Sequence, residues 1–377
     1  MSGLPVLDPV PRLACGGMRG RAAFCVAVLC LAAAVFLSLT APAQERPRGV
    51  LLPVRLHGKV GYIDLDGRVV IRPQFDTAGS FVEGRALVSR KNKYGYIDEH
   101  GKVVAEPQFD GAEEFSEGLA AVRVPNGKWG FLDKTGHFAI QPKFTVASDM
   151  HEGLAPVAVG EFGANLKFGY VDHSGEFVIE PRFAYASDFS EGMADVILEG
   201  SYDGIEGGWL NVTGKRGYID RTGNVVVQPQ YDRGYDFSGG LACVDIEGRP
   251  GYVDKSGKLV IAPRFAQATP FSEGLAAASE DDYPSERWGF IDKTGGWAIK
   301  PQFDSTGWFS EGLAAVSVGD KWGYVNAAGE LVIPPQFEHG DPFKNGAGMV
   351  MVGGPEPKTT KFGYVDRTGR WIWKPTN

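Results

Sequence analysis

The apolar and polar positions of this chain follow one pattern that recurs between residues 50 and 377. In one copy, mainly apolar runs lie at Leu119–Val124, Lys128–Asp133 and His137–Ile140. Pro125-Asn126-Gly127 separates the first two runs, and Asp133-Lys134-Thr135-Gly136 joins the second to the third. Short runs bounded by such turn residues are typical of β-hairpins. The pattern therefore predicts three antiparallel strands in each copy.

Nine anchor glycines mark the copies. Each is followed by an aromatic residue, an aliphatic residue and Asp or Asn, with another glycine six positions later and a proline twelve positions later. The anchors are Gly61, Gly95, Gly130, Gly169, Gly217, Gly251, Gly289, Gly323 and Gly363. A period of this size predicts a tandem array of small units, each of which covers its neighbours.

The acidic residue and the second glycine predict a turn. In Asp133-x-x-Gly136 the Asp side chain caps the turn and the glycine accepts a positive φ. Asp occupies this position in eight copies and Asn326 in one. A metal or catalytic series is the alternative, but nine copies of one catalytic residue serve no single reaction. Six copies also carry a glutamate before a later glycine, which we likewise interpret as structural.

The third strand and the segment after it predict how the units pack. Consecutive apolar residues such as Val69-Val70-Ile71 indicate a strand covered on both faces. Pro142 is expected to end strand pairing, because proline has no N–H to donate. A ring at the position of Phe144 and a second ring six positions later recur along the array, with Met150 as the exception in the second column. We interpret both ring columns as core, and an aromatic ligand groove is the alternative.

Extra residues are confined to one place in the unit, between its first and second strands. The longest insertion is Leu198–Lys215. Exposed aromatic and acidic residues in such loops are candidate contacts for a partner, and rings folded back onto the array are the alternative. The candidates are Tyr202, Asp203, Trp209, Asp281, Asp282 and Tyr283.

The unit resembles the WG repeat, also called the KWG repeat, a bacterial module. The resemblance is literal at Lys128-Trp129-Gly130-Phe131, at Trp288-Gly289-Phe290 and at Lys321-Trp322-Gly323-Tyr324. Trp129, Trp288 and Trp322, with Asp133, Gly136, Pro142 and Phe144, are thus predicted to be structural repeat residues. The resemblance implies a β-rich repeat array, but it implies no common activity and supplies no catalytic residues.

The phase of the repeats bears on the architecture. The array, residues 50–377, begins with a first strand and ends with a third strand, which gives nine whole units. A ring closed by a shared unit would split one unit between its two ends. Whole units favour an open superhelical array, with a β-propeller-like ring as the alternative.

Residues 1–43 differ from the array. Arg19 and Arg21 precede the apolar stretch Ala22–Leu39, and Ala41-Pro42-Ala43 fits a cleavage site. We interpret this segment as a secretory signal peptide, with initiation at Met18 as one possibility and a membrane anchor as the alternative. After cleavage only Cys243 remains, which predicts no intrachain disulfide.

Composition and chemistry narrow the function. The formal net charge is −8 without a basic run, so nucleic acid is not an expected partner. No His or Cys residues stand at metal-ligand spacing, and no nucleophile elbow or phosphate loop occurs, so neither an enzyme nor a cofactor is expected. The sequence favours an exported scaffold, periplasmic or secreted, that binds a protein or an envelope polymer. Carbohydrate binding through exposed aromatics and an enzyme with an unrecognised site are the alternatives.

Overall fold

The computed structural model describes residues 49–375, except residues 126, 207–208, 283–285 and 354–360 and the side chains of residues 203–211. The predicted leader, residues 1–43, lies outside them. The described residues form nine small antiparallel sheets, numbered here along the chain, and one additional hairpin. No described residue belongs to a helix with the length and apolar character needed to cross a bilayer.

The sheets follow one another in chain order. Sheet 1 contains β1 (Leu52–Leu56), β2 (Lys59–Ile63) and β3 (Val69–Phe75). Sheet 2 contains β4 (Thr77–Val82), β5 (Arg85–Arg90), β6 (Lys93–Asp98) and β7 (Val103–Phe109). Sheet 3 contains β8 (Gly111–Ala112), β9 (Leu119–Arg123), β10 (Trp129–Asp133) and β11 (Phe138–Phe144). Sheet 4 contains β12 (Val146–Ala147), β13 (Ala155–Val159), β14 (Lys167–Val171) and β15 (Phe177–Phe183). Sheet 5 contains β16 (Tyr185–Ala186), β17 (Met193–Ile197), β20 (Arg216–Asp220) and β21 (Val225–Tyr231). The additional hairpin, β18 (Ser201–Glu206) and β19 (Trp209–Thr213), is inserted between β17 and β20. Sheets 6 and 7 contain β22 (Leu241–Ile246), β23 (Arg249–Asp254) and β24 (Leu259–Ile261); and β25 (Gln267–Ala268), β26 (Ala276–Ser279), β27 (Trp288–Ile291) and β28 (Trp297–Phe303). Sheets 8 and 9 contain β29 (Ser305–Ser310), β30 (Leu313–Val318), β31 (Lys321–Asn326) and β32 (Leu331–Phe337); and β33 (His339–Gly340), β34 (Gly348–Val352), β35 (Lys361–Val365) and β36 (Trp371–Trp373).

A complete sheet has four strands rather than the predicted three. Sheet 3 has the order β8-β9-β10-β11, which we term inner, second, third and outer strands. The inner strand lies in the segment that the sequence predicted to be a connection. In sheet 6 the bridge between Gly234 and Val244 takes its place, and among the described residues sheet 1 has only three strands.

The anchor glycine and the proline belong to one β-bulge. Trp129 pairs with Phe144 and Phe131 pairs with Ile140, so three outer-strand residues lie opposite Gly130. A Cβ atom on Gly130 would lie 2.6 Å from the Ile140 carbonyl oxygen and 2.7 Å from the Pro142 nitrogen. The prediction that Pro142 ends pairing is therefore wrong, because the proline lies in the bulge and pairing resumes at Phe144.

The outer strand is covered on one face only. Val178 is 50% exposed and Leu331 is 48% exposed, whereas Ile179 and Ile333 are buried. The prediction that both faces are covered is wrong, because this strand forms the solvent-facing edge of each sheet.

The Asp-x-x-Gly turn forms in all nine copies. Asp133 Oδ1 accepts backbone N–H bonds from Thr135 at 2.8 Å and from His137 at 3.2 Å, and the Gly136 N–H donates to the Asp133 carbonyl. Gly136 has φ of +85°. Asn326 makes the same bonds in sheet 8. Each cap satisfies local N–H groups, so the acidic column is structural.

The repeated rings form the core between neighbouring sheets. The Tyr96 ring meets the edge of Phe115 of the next sheet, with the centroids 5.0 Å apart. The Tyr96 hydroxyl donates to the Glu113 carbonyl at 2.6 Å. The same ring contact recurs at most junctions, with centroid distances of 4.7 to 5.0 Å. The interpretation of the ring columns as core is thus confirmed.

Sheets 9 and 1 pack together as neighbours. The Tyr364 hydroxyl donates to the Pro53 carbonyl of sheet 1 at 2.8 Å. The equivalent tyrosines of sheets 1 and 2 donate in the same way to a carbonyl on the inner strand of the next sheet. A Cβ atom on Gly67 would lie 2.5 Å from the Ile372 carbonyl oxygen, just as one on Gly136 would lie 2.3 Å from that of Val104. The described sheets therefore form a closed, propeller-like ring. The prediction of an open array is not confirmed. Side-chain packing between sheets 9 and 1 closes the ring, although no repeat unit is split between the two ends.

Antiparallel topology gives the ring two rims. The Asp-x-x-Gly turns and the Ser-Glu-Gly turns after the inner strands lie on one rim, which we call the turn rim. There Glu117 accepts the N–H of Gly153 in the next sheet at 2.8 Å. The loops between second and third strands lie on the other, which we call the insertion rim. There basic residues pair with acids seventeen positions later, as Lys59 does with Asp76 at 2.5 Å.

Candidate functional site

One position of the inner strands departs from the repeat. It is the residue directly before the second-ring position, which holds Met150 in sheet 4 and Phe in the other sheets from 2 to 9. From sheet 2 to sheet 9 this position holds Ser80, Glu114, Asp149, Asp188, Asp236, Pro270, Trp308 and Pro342. Acidic residues occupy it in four successive sheets and in none of the others described. A residue needed for packing would recur in every sheet, so this run calls for another explanation.

The inner-strand segments surround the axis of the ring. Lys344 Nζ in sheet 9 lies 4.0 Å from Glu114 Oε2 in sheet 3. Sheets 1 and 2 lie between them along the ring, and inner edges of sheets that are not neighbours meet only near the axis. A Cβ atom on Gly79 of sheet 2 would lie 3.2 Å from Glu114 Oε1, so Glu114 extends across that sheet. We call Glu113, Glu114, Asp149, Asp188 and Asp236 the axial acidic arc.

The arc keeps its carboxyl groups close enough to perturb one another. Burial, with the nearby charges of Glu113 and Asp188, raises the pKa of Asp149 to about 7. Burial and the charge of Asp188 also raise the pKa of Glu113. Burial raises the pKa of Asp188, and His151, whose Nε2 lies 3.6 Å from Asp188 Oδ2, opposes this shift. The direction is that expected for carboxylates crowded together away from bulk water.

Solvent nevertheless reaches part of the arc. The side chains of Glu113 and Asp236 are exposed to solvent, although burial by neighbouring protein raises the pKa of each carboxyl group. Asp149 Oδ1 and Asp188 Oδ1 are shielded from solvent and have no hydrogen-bond partner. Such oxygens are costly to bury, so the arc carries acceptor capacity that the chain itself leaves unused.

A buried ion pair adjoins the arc. Asp195 on β17 is 2% exposed, and its Oδ2 accepts a bond from Arg216, which also lies 4.4 Å above the Tyr185 ring. Burial raises the pKa of Asp195, and Arg216 opposes this shift. Asp195 Oδ1 has no partner. It faces Gly234, on the inner-strand segment that carries Asp236, since a Cβ atom on Gly234 would lie 3.1 Å from it.

The insertion rim holds most of the contact residues expected from the sequence. The Tyr202 ring lies 5.8 Å from that of Phe162, which belongs to the insertion of sheet 4 and is 45% exposed. Asp281 and Asp282 are exposed, and Asp282 lies 3.3 Å from Arg249 Nη2 of the preceding sheet. Tyr283 and the side chains of Asp203 and Trp209 lie outside the described residues. Tyr202 thus contacts Phe162, which was not among the candidate contact residues predicted from the sequence.

The predicted structural residues lie in strands, bulges and turns. Trp129 and Trp288 pack against the apolar clusters of sheets 3 to 4 and 7 to 8. The Trp322 ring stacks edgewise on His339 of sheet 9, with centroids 4.7 Å apart. Phe144 is buried. Cys243 is buried as a free thiol, and its pKa is raised to about 12 by burial, so it stays protonated.

The sequence analysis missed the axial acidic arc. Its signal was present at the position before the second ring, where acids run through four copies and then stop. The columns that recur in every copy are structural, so this run of acids stands out only where the copies differ. No three described His, Cys, Asp or Glu side chains converge as a metal site requires.

The fold defines a class of protein, a closed ring of tandem β-sheet repeats. The chain belongs to the family described as "WG containing repeat", which it matches at residues 61–94, 94–129, 129–161, 168–202, 217–249, 251–283, 288–322 and 322–354. The ninth copy, around Gly363, follows these matches and forms sheet 9.

Solved structures resemble this chain at low sequence identity. A crystal structure of "the eukaryotic initiation factor" matches with a TM-score of 0.58 and 10% identity, covering 86% of this chain and 95% of that one. BamB from Moraxella catarrhalis matches with a TM-score of 0.41 and 12% identity over 83% and 93% of the two chains. A quinohemoprotein alcohol dehydrogenase from Pseudomonas putida matches with a TM-score of 0.43 and 10% identity over 87% and 77%. No curated protein sequence matches this chain.

Proposed function

We propose that this WG-repeat protein is an exported, non-enzymatic scaffold that binds a protein partner at the cell envelope through its insertion rim. The rings, caps and bulges of the repeats are engaged in holding the sheets together. The other copies fold without the inserted loops, so these loops are not needed to pack the sheets. Recognition residues are commonly carried by loops on a rigid frame, which supports this division of labour.

The contact between Phe162 and Tyr202 carries the proposal. It brings a ring from the insertion of sheet 4 against a ring at the start of the insertion of sheet 5. Phe162 remains 45% exposed in that pair. Aromatic side chains that are fixed by a neighbour but open to solvent are suited to anchor a protein interface, because little side-chain entropy is lost on binding.

Site-specific photo-crosslinking tests the proposed rim. A benzophenone amino acid at Phe162 is expected to capture a discrete protein partner in intact cells. The same amino acid at Leu65, which is 43% exposed on the turn rim, is the matched control and is expected to capture none. Equal capture from both positions, or from neither, would contradict the proposal.

Export is tested separately. The sequence of residues 1–43 predicts cleavage near Ala43, so a tagged protein should be recovered outside the cytoplasm and lack its leader, as intact-mass measurement would show. A protein that keeps the leader and sediments with membranes would favour the anchor instead.

The exposed Phe162 ring beside Tyr202 also favours one alternative, a carbohydrate or cell-wall ligand that stacks on rings. A glycan array and binding to purified cell wall distinguish this from protein recognition. If Trp209→Ala or Phe162→Ala abolishes glycan binding and leaves the melting temperature unchanged, the carbohydrate function replaces the protein scaffold.

A further inference from the structure

We propose that the contact between sheets 9 and 1, which we call the seam, also forms between two copies of this chain. In the resulting dimer, sheet 9 of each copy packs on sheet 1 of the other, so the dimer has as many seams as two separate rings. A peptide segment connects the neighbouring sheets at the eight other junctions, whereas the seam joins the last described sheet to the first. It can therefore open and form again with another copy. This surface is independent of the insertion rim.

The seam lacks the ring contact that most other junctions contain. There the ring after the anchor glycine meets a second ring on the inner strand of the next sheet, as Tyr96 meets Phe115. Among the described residues sheet 1 has no inner strand, so this second ring is missing beside Tyr364. Tyr364 is 7% exposed, whereas the six other tyrosines at this position are at most 1% exposed. The seam thus covers its aromatic residue less completely than the other junctions do.

The second strands around the seam are also less covered. The residue that pairs with the one after the anchor glycine is Pro53 in sheet 1, Leu87 in sheet 2 and Met349 in sheet 9, and all three are half-buried. In sheets 3 to 8 the residue at this position is buried: Ala121, Pro156, Asp195, Cys243, Ala277 and Ala315. The loss of cover is centred on sheet 1 and reaches both of its neighbours. We therefore expect the ring to open at the seam before any other junction.

A second copy is the partner that fits the opened seam. Leu52, Val54 and Ile63 of sheet 1 form one apolar cluster with Ala347 and Tyr364 of sheet 9, and none of the five is more than 7% exposed. Opening exposes this surface to water, which is unfavourable in proportion to its apolar area. Another opened copy presents the same two faces, so it restores the cluster and the hydrogen bond from Tyr364 to sheet 1. Ring and dimer contain the same contacts, and chain concentration decides between them.

Exchange between labelled copies tests the proposal. Unlabelled and isotopically labelled mature chains are mixed at high concentration, and native mass spectrometry follows the appearance of mixed dimers. Tyr364→Phe removes the hydroxyl that donates to Pro53 across the seam, so it should speed the exchange about fivefold. The final fraction of dimer should stay within about twofold of that of the unaltered protein, because ring and dimer lose the same bond.

Tyr324→Phe is the matched control. It removes the equivalent bond, which joins the Tyr324 hydroxyl to the Asp341 carbonyl at 2.9 Å, from the junction of sheets 8 and 9. A peptide segment connects these two sheets, so loosening their contact does not free the two faces of the seam. The exchange rate of this variant should differ from that of the unaltered protein by less than about twofold. Melting curves confirm that both variants are folded.

Four results would overturn the proposal. The first is the absence of mixed dimers from the unaltered chain. The second is equal acceleration by both substitutions, which would mean a general loosening of the ring. The third is an exchange rate that neither substitution changes, which would assign association to another surface. The fourth is a lower final fraction of dimer in Tyr364→Phe alone, which would mean that the hydroxyl binds the second copy in a contact absent from the single ring. The photo-crosslinking result at Phe162 stands or falls separately.

Discussion

The turn-rim aspartates and the axial acidic arc contain the same chemical group in opposite surroundings. In the turn, the Thr135 hydroxyl and nearby backbone amides lower the pKa of Asp133. On the axis, burial and neighbouring carboxylates raise the pKa of Asp149 to about 7. The turn residue recurs in all nine sheets, and the arc occupies four. In a repeat protein, uniformity marks what the fold needs, and departure from uniformity marks what the fold does not explain.

The largest expected effect concerns the turn rim. Gly136→Ala should lower the free energy of unfolding by about 3 kcal/mol or more, because a residue with a side chain is strained at positive φ and its Cβ would clash with Val104. Gly127→Ala is the matched control, since Gly127 also has φ of +85° but nothing lies within 4 Å of the added atom. It should cost only about 1–2 kcal/mol. Similar losses in denaturant unfolding would show that the contact between sheets is unimportant.

The next effect has the opposite sign. Asp149→Asn should raise the free energy of unfolding at pH 8 by about 1–2 kcal/mol, less than the full pKa difference implies because the group is partly solvated. Removing a carboxylate that repels Glu113 and Asp188 relieves the folded state. A substitution that stabilises at an acidic site is typical of a site kept for function. A loss of stability at pH 8 would place Asp149 among the structural acids.

The pH dependence of that difference follows from linkage. The folded-state pKa of Asp149 is raised to about 7 from an ordinary value of 3.8, so the folded chain holds more protons between these values. Its contribution to stability is therefore fully present below pH 3.8 and is lost as pH rises to about 7. The difference between Asp149→Asn and the unaltered protein should grow over this range in thermal melts. An advantage that is already complete at pH 4 would contradict the assignment.

The smallest effect returns to the turn. Asp133→Ala should destabilise by about 1 kcal/mol, since it removes the cap that accepts the N–H groups of Thr135 and His137 in a solvated position. Its sign is opposite to that of Asp149→Asn at pH 8. Chemical denaturation of both variants at pH 8 tests the comparison most directly. If both substitutions changed the free energy of unfolding in the same direction, the distinction between the turn aspartates and the arc would be wrong.

Much of the unit could be predicted from its residues. Asp-x-x-Gly specifies its turn locally, and the ring spacing specifies the core, so both were recoverable from one copy. The prediction for Pro142 was wrong because a missing N–H is compatible with a bulge as well as with the end of a strand. Only the pairing of Trp129 with Phe144, beyond the proline, distinguishes the two. The contact of Tyr364 with Pro53 joins residues far apart in sequence, so the local pattern carried no signal for closure. The axial arc required comparison between copies.

The seam between sheets 9 and 1 has a consequence for mechanical and kinetic behaviour. At the eight other junctions a peptide segment connects the neighbouring sheets, whereas the described contacts here include the Tyr364–Pro53 hydrogen bond, the approach of Gly67 to Ile372 and an apolar cluster around Leu52 and Ala347. Among the described residues no strand pairing spans this seam, so the ring can open there without separating paired strands. Hydrogen exchange should therefore be fastest at this junction, and under stretching force the molecule should first become a linear chain of sheets before any single sheet unravels.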